Sequence, residues 1–143
     1  MGTPLEKIYD IFYSSLNEDL SKHPELDVNV DDNIVVTFLE IAFGDFEENL
    51  HISLKINDDK STINEDITNP QINILGRLMY KKYLERELNS SLRLSSHFNK
   101  RSELQVTGLQ TKVVALRECL MRLDNLLCRS FTRNIFKSIG KLS

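Results

Sequence analysis

Between Ser102 and about Thr132, the residues Val106, Leu109, Val113, Leu116, Leu120, Leu123 and Leu127 recur at alternating intervals of three and four. That is an a/d heptad over three repeats, and it commits the end of the chain to a long helix with one apolar seam. Gly108 costs such a helix about 1 kcal/mol but leaves the register intact. The seam must be buried, either in a bundle formed by the same chain or in a coiled coil between chains. Leu126, Phe131 and Val114 widen the stripe beyond a strict seam, which favours the bundle.

The remaining segments supply partners for that helix. A chain of 143 residues is one domain, or one domain with an extended arm. Five Gly and three Pro are too little punctuation for a sandwich or barrel, which needs turn residues about every eight to twelve positions. Thr3-Pro4-Leu5-Glu6 reads as a capping box with Pro at the first helical position. Leu5, Ile8, Tyr9, Phe12 and Leu16 then form a helical stripe that should stop near Leu20, ahead of His23-Pro24. After an acidic connection at residues 21–33, Asp31 or Asp32 caps a second helix. Its apolar face is Ile34, Val35, Phe38, Leu39, Ala42, Phe43 and Phe46, and Gly44 sits inside it.

The period then changes. Leu50, Ile52, Leu54 and Ile56 alternate with His51, Ser53, Lys55 and Asn57, a half-buried strand pattern. With a turn at Asn57–Lys60 and a return through Ser61 to Ile67, this predicts a short β-hairpin or an extended loop. The competing reading is that the second helix runs on and frays. Thr68-Asn69-Pro70-Gln71 is a second capping box, followed by Ile72, Leu75, Met79 and Tyr83, with Ile74, Leu78 and Leu88 widening the face. Asn89-Ser90-Ser91 predicts a break or kink, leaving residues 92–98 as one or two separate turns. The expected fold is mainly α: a bundle of about four helices with a long C-terminal helix and a short hairpin insertion near residues 50–67.

Charge is divided between the halves. Residues 1–67 carry sixteen acidic and four basic side chains, a balance of −12. Residues 68–143 carry five and fourteen, a balance of +9, so the total of −3 conceals a large dipole. If copies assemble, the basic part of one lies against the acidic part of the next. Alternatively, and compatibly, the halves neutralise each other inside one monomer.

Signals for chemistry are few. No GxxxxGK[ST], GxGxxG, HExxH or GxSxG motif occurs. His23, His51 and His97 lie in separate segments without ligands at metal spacing. Cys119 and Cys128 would be separated by about 13.5 Å along one straight helix at ~1.5 Å per residue, too far for a disulfide. Asp31-Asp32 and Asp58-Asp59 read as caps and turns. The expectation is no catalytic, cofactor-binding or metal-ligating residues, and no enzyme. No apolar run reaches the roughly 20 residues that cross a bilayer, so no membrane partner is expected. The rival function is a small nucleic-acid-binding or regulatory protein, because Lys100, Arg101, Lys112, Arg117, Arg122, Arg129 and Arg133 lie along the last helix and its approach.

Three segments carry a resemblance: the amphipathic start Thr3-Pro4-Leu5-Glu6-Lys7-Ile8-Tyr9-Asp10, the passage from Glu65-Asp66-Ile67-Thr68 into Ile72-Asn73-Ile74-Leu75-Gly76-Arg77-Leu78-Met79, and the closing leucine helix. With them the chain resembles the neck proteins of tailed bacteriophages of Gram-positive hosts, the head-to-tail adaptors that form a ring beneath the portal. The hairpin-like segment at residues 50–67 departs from the simplest all-helical adaptor. The resemblance implies a virion structural protein, made in the host cytoplasm. It implies a homo-oligomeric ring that contacts the portal and tail-side neck proteins and passes DNA through its channel without specific binding. Residues 1–132 would form the bundle and residues 133–143 a basic, apolar arm. The residues expected to meet a partner are Arg129, Arg133, Ile135, Phe136, Lys137, Ile139, Lys141 and Leu142.

Overall fold

The computed structural model describes residues 2–26, 28–98 and 103–142, with side-chain surroundings given for 2–26, 28–94 and 110–134. Four helices carry the fold: α1 (Leu5–Lys22), α2 (Val35–Leu50), α3 (Asn69–Phe98) and α4 (Glu103–Leu142). Single 3-10 turns at Pro24–Leu26 and Asp32–Ile34 break the connection from α1 to α2. The expected mainly α bundle with a long C-terminal helix is what forms.

α3 is the centre, packed against α1, α2 and α4. Its burial runs wider than the face read from the sequence, because between Ile72 and Leu84 apolar residues, Tyr80 and Leu84 included, leave it no fully polar face. Ile74, Leu75, Leu78, Met79, Tyr80, Tyr83 and Leu84 are all buried. Its capping box forms as read: the Thr68 N–H donates to Gln71 Oε1 (3.0 Å) and the Gln71 N–H to Thr68 Oγ1 (3.3 Å). Asn89-Ser90-Ser91 does not break it, and residues 92–98 continue the same helix. Asn and Ser each cost a helix only about 0.5 kcal/mol, too little to end one that is packed along α4.

The heptad of α4 is an intramolecular seam. Val113, Leu116, Leu123 and Leu127 are buried and Leu120 is half-buried, while Val106 and Leu109 lie outside the described side chains. Lys81 pairs with Asp124 (2.8 Å) and Lys112 with Glu87 (3.6 Å), which sets α3 and α4 antiparallel. Val114 does not widen the seam as the spacing suggested; it is 53% exposed on the opposite face.

Two expectations at the N-terminal side are corrected. Thr3 is not the cap of α1: Pro4 stands at that position with no side-chain hydrogen bond. Thr3 instead donates its hydroxyl to Glu65 O (3.0 Å) and accepts from the Ile67 N–H (3.0 Å). Pro4 bridges Thr62 in antiparallel sense, so the start of the chain is itself a partner for the return segment. α1 also ends at Lys22, two residues beyond the expected stop and directly before His23-Pro24.

Residues 51–68 form no strand. The alternation correctly sorted the sides, with Leu54 and Ile63 buried, Ile52 and Ile56 half-buried, and His51, Ser53 and Lys55 exposed. An isolated bridge, Ile56 with Ile63, replaces a ladder. Polar side chains stitch the rest: Asn57 donates to Thr62 Oγ1 (2.9 Å) and Ile63 O (2.9 Å), and Asn64 donates to Ser53 O (3.2 Å). The extended-loop half of the expectation holds, and the turn falls at Asn57–Lys60, where the Lys60 N–H donates to Asn57 O (2.9 Å).

Gly76 and Gly44 make a matched test of the packing. A Cβ on Gly76 would stand 2.5 Å from Ile11 Cβ and 3.0 Å from Ile8 O, so α1 crosses α3 there at a distance only glycine permits. A Cβ on Gly44 meets nothing within 4 Å. Gly44→Ala is expected to stabilise by about 1 kcal/mol through helix propensity. Gly76→Ala is expected to destabilise by about 1–3 kcal/mol from overpacking. Urea melts of the two variants check this; equal shifts would mean that the helix crossing is misplaced.

Candidate functional site

A buried polar junction ties three helices. Asp19, fully buried near the end of α1, accepts a hydrogen bond from the Tyr80 hydroxyl of α3 (2.6 Å) and pairs with the Arg122 guanidinium of α4. Burial of a carboxylate requires such partners. Asp19 is not singled out by the sequence, since it follows Leu16 by three residues on the same face as the apolar stripe and looks like an ordinary polar residue near a helix end.

The basic stripe read along α4 is thereby reduced. Arg122 is committed to Asp19 and Lys112 to Glu87, whereas Arg117, Arg129 and Arg133 are exposed and form no ion pair among the described residues. Two described ion pairs join the acidic and basic halves, Asp19–Arg122 and Asp45–Lys82 (2.9 Å). The other acidic residues before position 68 with a described environment are all exposed. Among the described residues, direct ion pairing inside the monomer therefore accounts for little of the charge split. Most of the acid on α1, α2 and the loop faces outward, as do the three unpaired arginines of α4.

The expected partner-binding residues fall into two groups. Arg129 and Arg133 are exposed on α4. Ile135, Phe136, Lys137, Ile139, Lys141 and Leu142 lie on the unbroken continuation of the same helix, and their side chains are outside the described residues. Residue 132 is thus not a break in the secondary structure. Fifteen residues of helix follow Leu127, the last buried side chain described in α4, a length of about 22 Å.

The sequence reading missed the outer face of α4. Val114 and Met121 are 53% and 67% exposed, and Cys128 continues their seven-residue row. The signal was present: apolar residues at heptad spacing on the side opposite a seam that was already filled.

Among the described residues, no group of three or more His, Cys, Asp or Glu is placed to hold a metal ion. His23 Nδ1 lies 3.4 Å from Glu25 Oε1 in a partly exposed pair, an acidic neighbour that the sequence reading did not credit. His51 ends α2 in left-handed geometry (φ 59°), and the side chain of His97 lies outside the described residues. A cleft of about 590 Å³ beside the loop is lined by His51, Lys55, Asn64, Glu65 and Gln71, among others. No described helix is long and apolar enough to cross a membrane.

Burial raises the Cys119 thiol from 9.0 to about 11. Burial, then the hydrogen bond to Asp32, raises the Tyr13 hydroxyl from 10.0 to about 12. Burial also raises Tyr80 and Tyr83. All of these favour the neutral form in the fold. Their stabilisation is present in full below pH 9, the ordinary thiol value, and is lost as pH rises through about 11 and then about 12. Chemical melts from pH 7 to 12 should show this alkaline decline, with Cys119→Ala removing its first part. A Cys119→Ala profile identical to that of the wild type would refute the assignment.

No protein-family model, curated protein or solved structure matches the chain. What fold and surface together define is a four-helix bundle with an acidic two-helix side, a basic long helix and apolar residues exposed within both.

Proposed function

We propose that this chain is a structural protein of a tailed-phage virion, a head-to-tail adaptor that assembles as a ring between portal and tail. The observation that carries the reading is the outward display of opposite charge on different helices. A ring built from identical copies needs two different surfaces that fit each other, and opposite charge speeds and orients their encounter. The resemblance of the three sequence segments to neck proteins supplies the particular setting. The long helix after Leu127, with Arg129, Arg133 and Lys137 beside Phe136 and Ile139, is the reach toward a neighbouring ring. The nucleic-acid reading is weaker, because Lys112 and Arg122 of its basic stripe are occupied within the chain.

The test uses the whole 143-residue chain. Wild type should form rings visible by negative-stain electron microscopy that dock on a portal assembly. Phe136→Ala should keep its helicity and lose most of that docking, and Lys137→Glu should weaken it most at low salt. Normal docking by both variants would remove the C-terminal end of α4 from the interface.

A further inference from the structure

The outer face of α2 holds a residue that the chain itself does not explain. Gly44 lies mid-helix, has no positive φ, and a Cβ there would meet nothing within 4 Å. Of the other residues only Pro suits a helix interior less well, and no turn or close approach inside the molecule asks for glycine. A helix from another molecule lying across α2 does ask for it, since glycine lets a second backbone come close. Around Gly44 the exposed surface carries Val36 and Ile41, 37% and 48% exposed, together with Glu40 and Glu48. Val36 and Ile41 stand on either side of the Glu40–Gly44–Glu48 line, Val36 and Glu40 also border a cleft with Leu5, Tyr9 and Lys60, and neither glutamate has an ion-pair partner among the described residues.

The outer face of α4 is the more basic of the two. Val114 and Met121 are its apolar centre, Arg117 and Arg129 flank them without ion-pair partners among the described residues, and Glu118 is one exposed acid between Val114 and Met121. We propose that the outer face of α4 in one copy packs across Gly44 on the outer face of α2 in the next copy. This rests on the ring reading and names the two surfaces that would close the ring. Both faces are exposed on the same chain and belong to different helices, so their union is heterologous. It adds copies in one direction and closes when the rotation allows. A second copy is the fitting occupant because one chain presents both halves of a complementary pair, apolar centre to apolar centre and arginine to glutamate.

Sedimentation velocity over a concentration series reads the result. The paired reversals Glu40→Lys with Glu48→Lys, and Arg117→Glu with Arg129→Glu, should each weaken self-association on the order of tenfold or more. Joining all four reversals in one chain, which exchanges the charges of both faces, should restore it. Gly44→Leu should raise the melting temperature through helix propensity while abolishing association; a merely structural role would raise the melting temperature and leave association alone. Assembly that survives every variant would overturn this interface and leave the ring reading standing. A wild-type chain that sediments as a 16.6 kDa monomer at every concentration would overturn both.

Discussion

Phe12→Ala is expected to cost about 3–5 kcal/mol, a large part of the roughly 5–15 kcal/mol that holds a domain together. Phe12 has no exposed surface, and its ring stands edge-on to Tyr13, Tyr80 and Tyr83 at centroid distances of 5.2, 6.0 and 5.7 Å. Tyr83 stands edge-on in turn to Phe38 at 5.6 Å. One side chain of α1 therefore anchors the aromatic contacts that join α1 to α3 and, through Tyr83, to α2. Edge-to-face pairs add about 0.5–1.5 kcal/mol each beyond burial, so truncation removes area and geometry together. Phe12→Leu should retain most of the volume but lose the edge-to-face contacts, and cost less than the alanine variant, about 1.5–3 kcal/mol. Equilibrium urea unfolding measures both. A loss under about 1 kcal/mol for the alanine variant would mean that this cluster is not the centre of the core.

Arg122→Met is the second large effect, expected at about 3 kcal/mol. Asp19 is fully buried, whereas the Arg122 side chain is 42% exposed, so the two partners are not equivalent. Without Arg122 a carboxylate remains inside the bundle with the Tyr80 hydroxyl as its described partner. Breaking a buried pair from that side typically costs about 3–5 kcal/mol, and the partial exposure of the pair sets the expectation at the lower end. Asp19→Leu should cost less, about 1–3 kcal/mol, since the guanidinium can turn to water and the main loss is the partner of the Tyr80 hydroxyl. The double variant should be more stable than Arg122→Met alone. A double-mutant cycle tests this, and simple additivity would show that the junction is not coupled.

Periodicity carried most of the fold. The leucine heptad, the broad apolar surface of α3 and the Thr68–Gln71 box each set a local pattern strong enough to decide the outcome without knowledge of the partner. Where the sequence misled, a distant segment had taken over a local signal. Thr3 has the chemistry of a cap, yet its hydroxyl is drawn to Glu65 and Ile67, which are far along the chain. Asn89-Ser90-Ser91 has the composition of a break, yet packing along α4 outweighs its propensity cost. Residues 51–68 have a strand's alternation without a strand's neighbours, so the inward residues are buried while side-chain hydrogen bonds stand in for a ladder. The charge split was visible as a count, but its arrangement was not. Which acids face water, and which arginines of α4 are already paired, depends on how the helices cross. Val114 was read into the core because a spacing of three and four does not say which side of a long helix lacks a partner.

The most direct test of ring assembly is the native mass of the 143-residue chain, measured by native mass spectrometry at assembly concentrations with and without DNA. A ring adaptor gives a discrete closed multiple of 16.6 kDa that forms from protein alone and is unchanged by DNA. A 16.6 kDa monomer that grows only when DNA is added would contradict it.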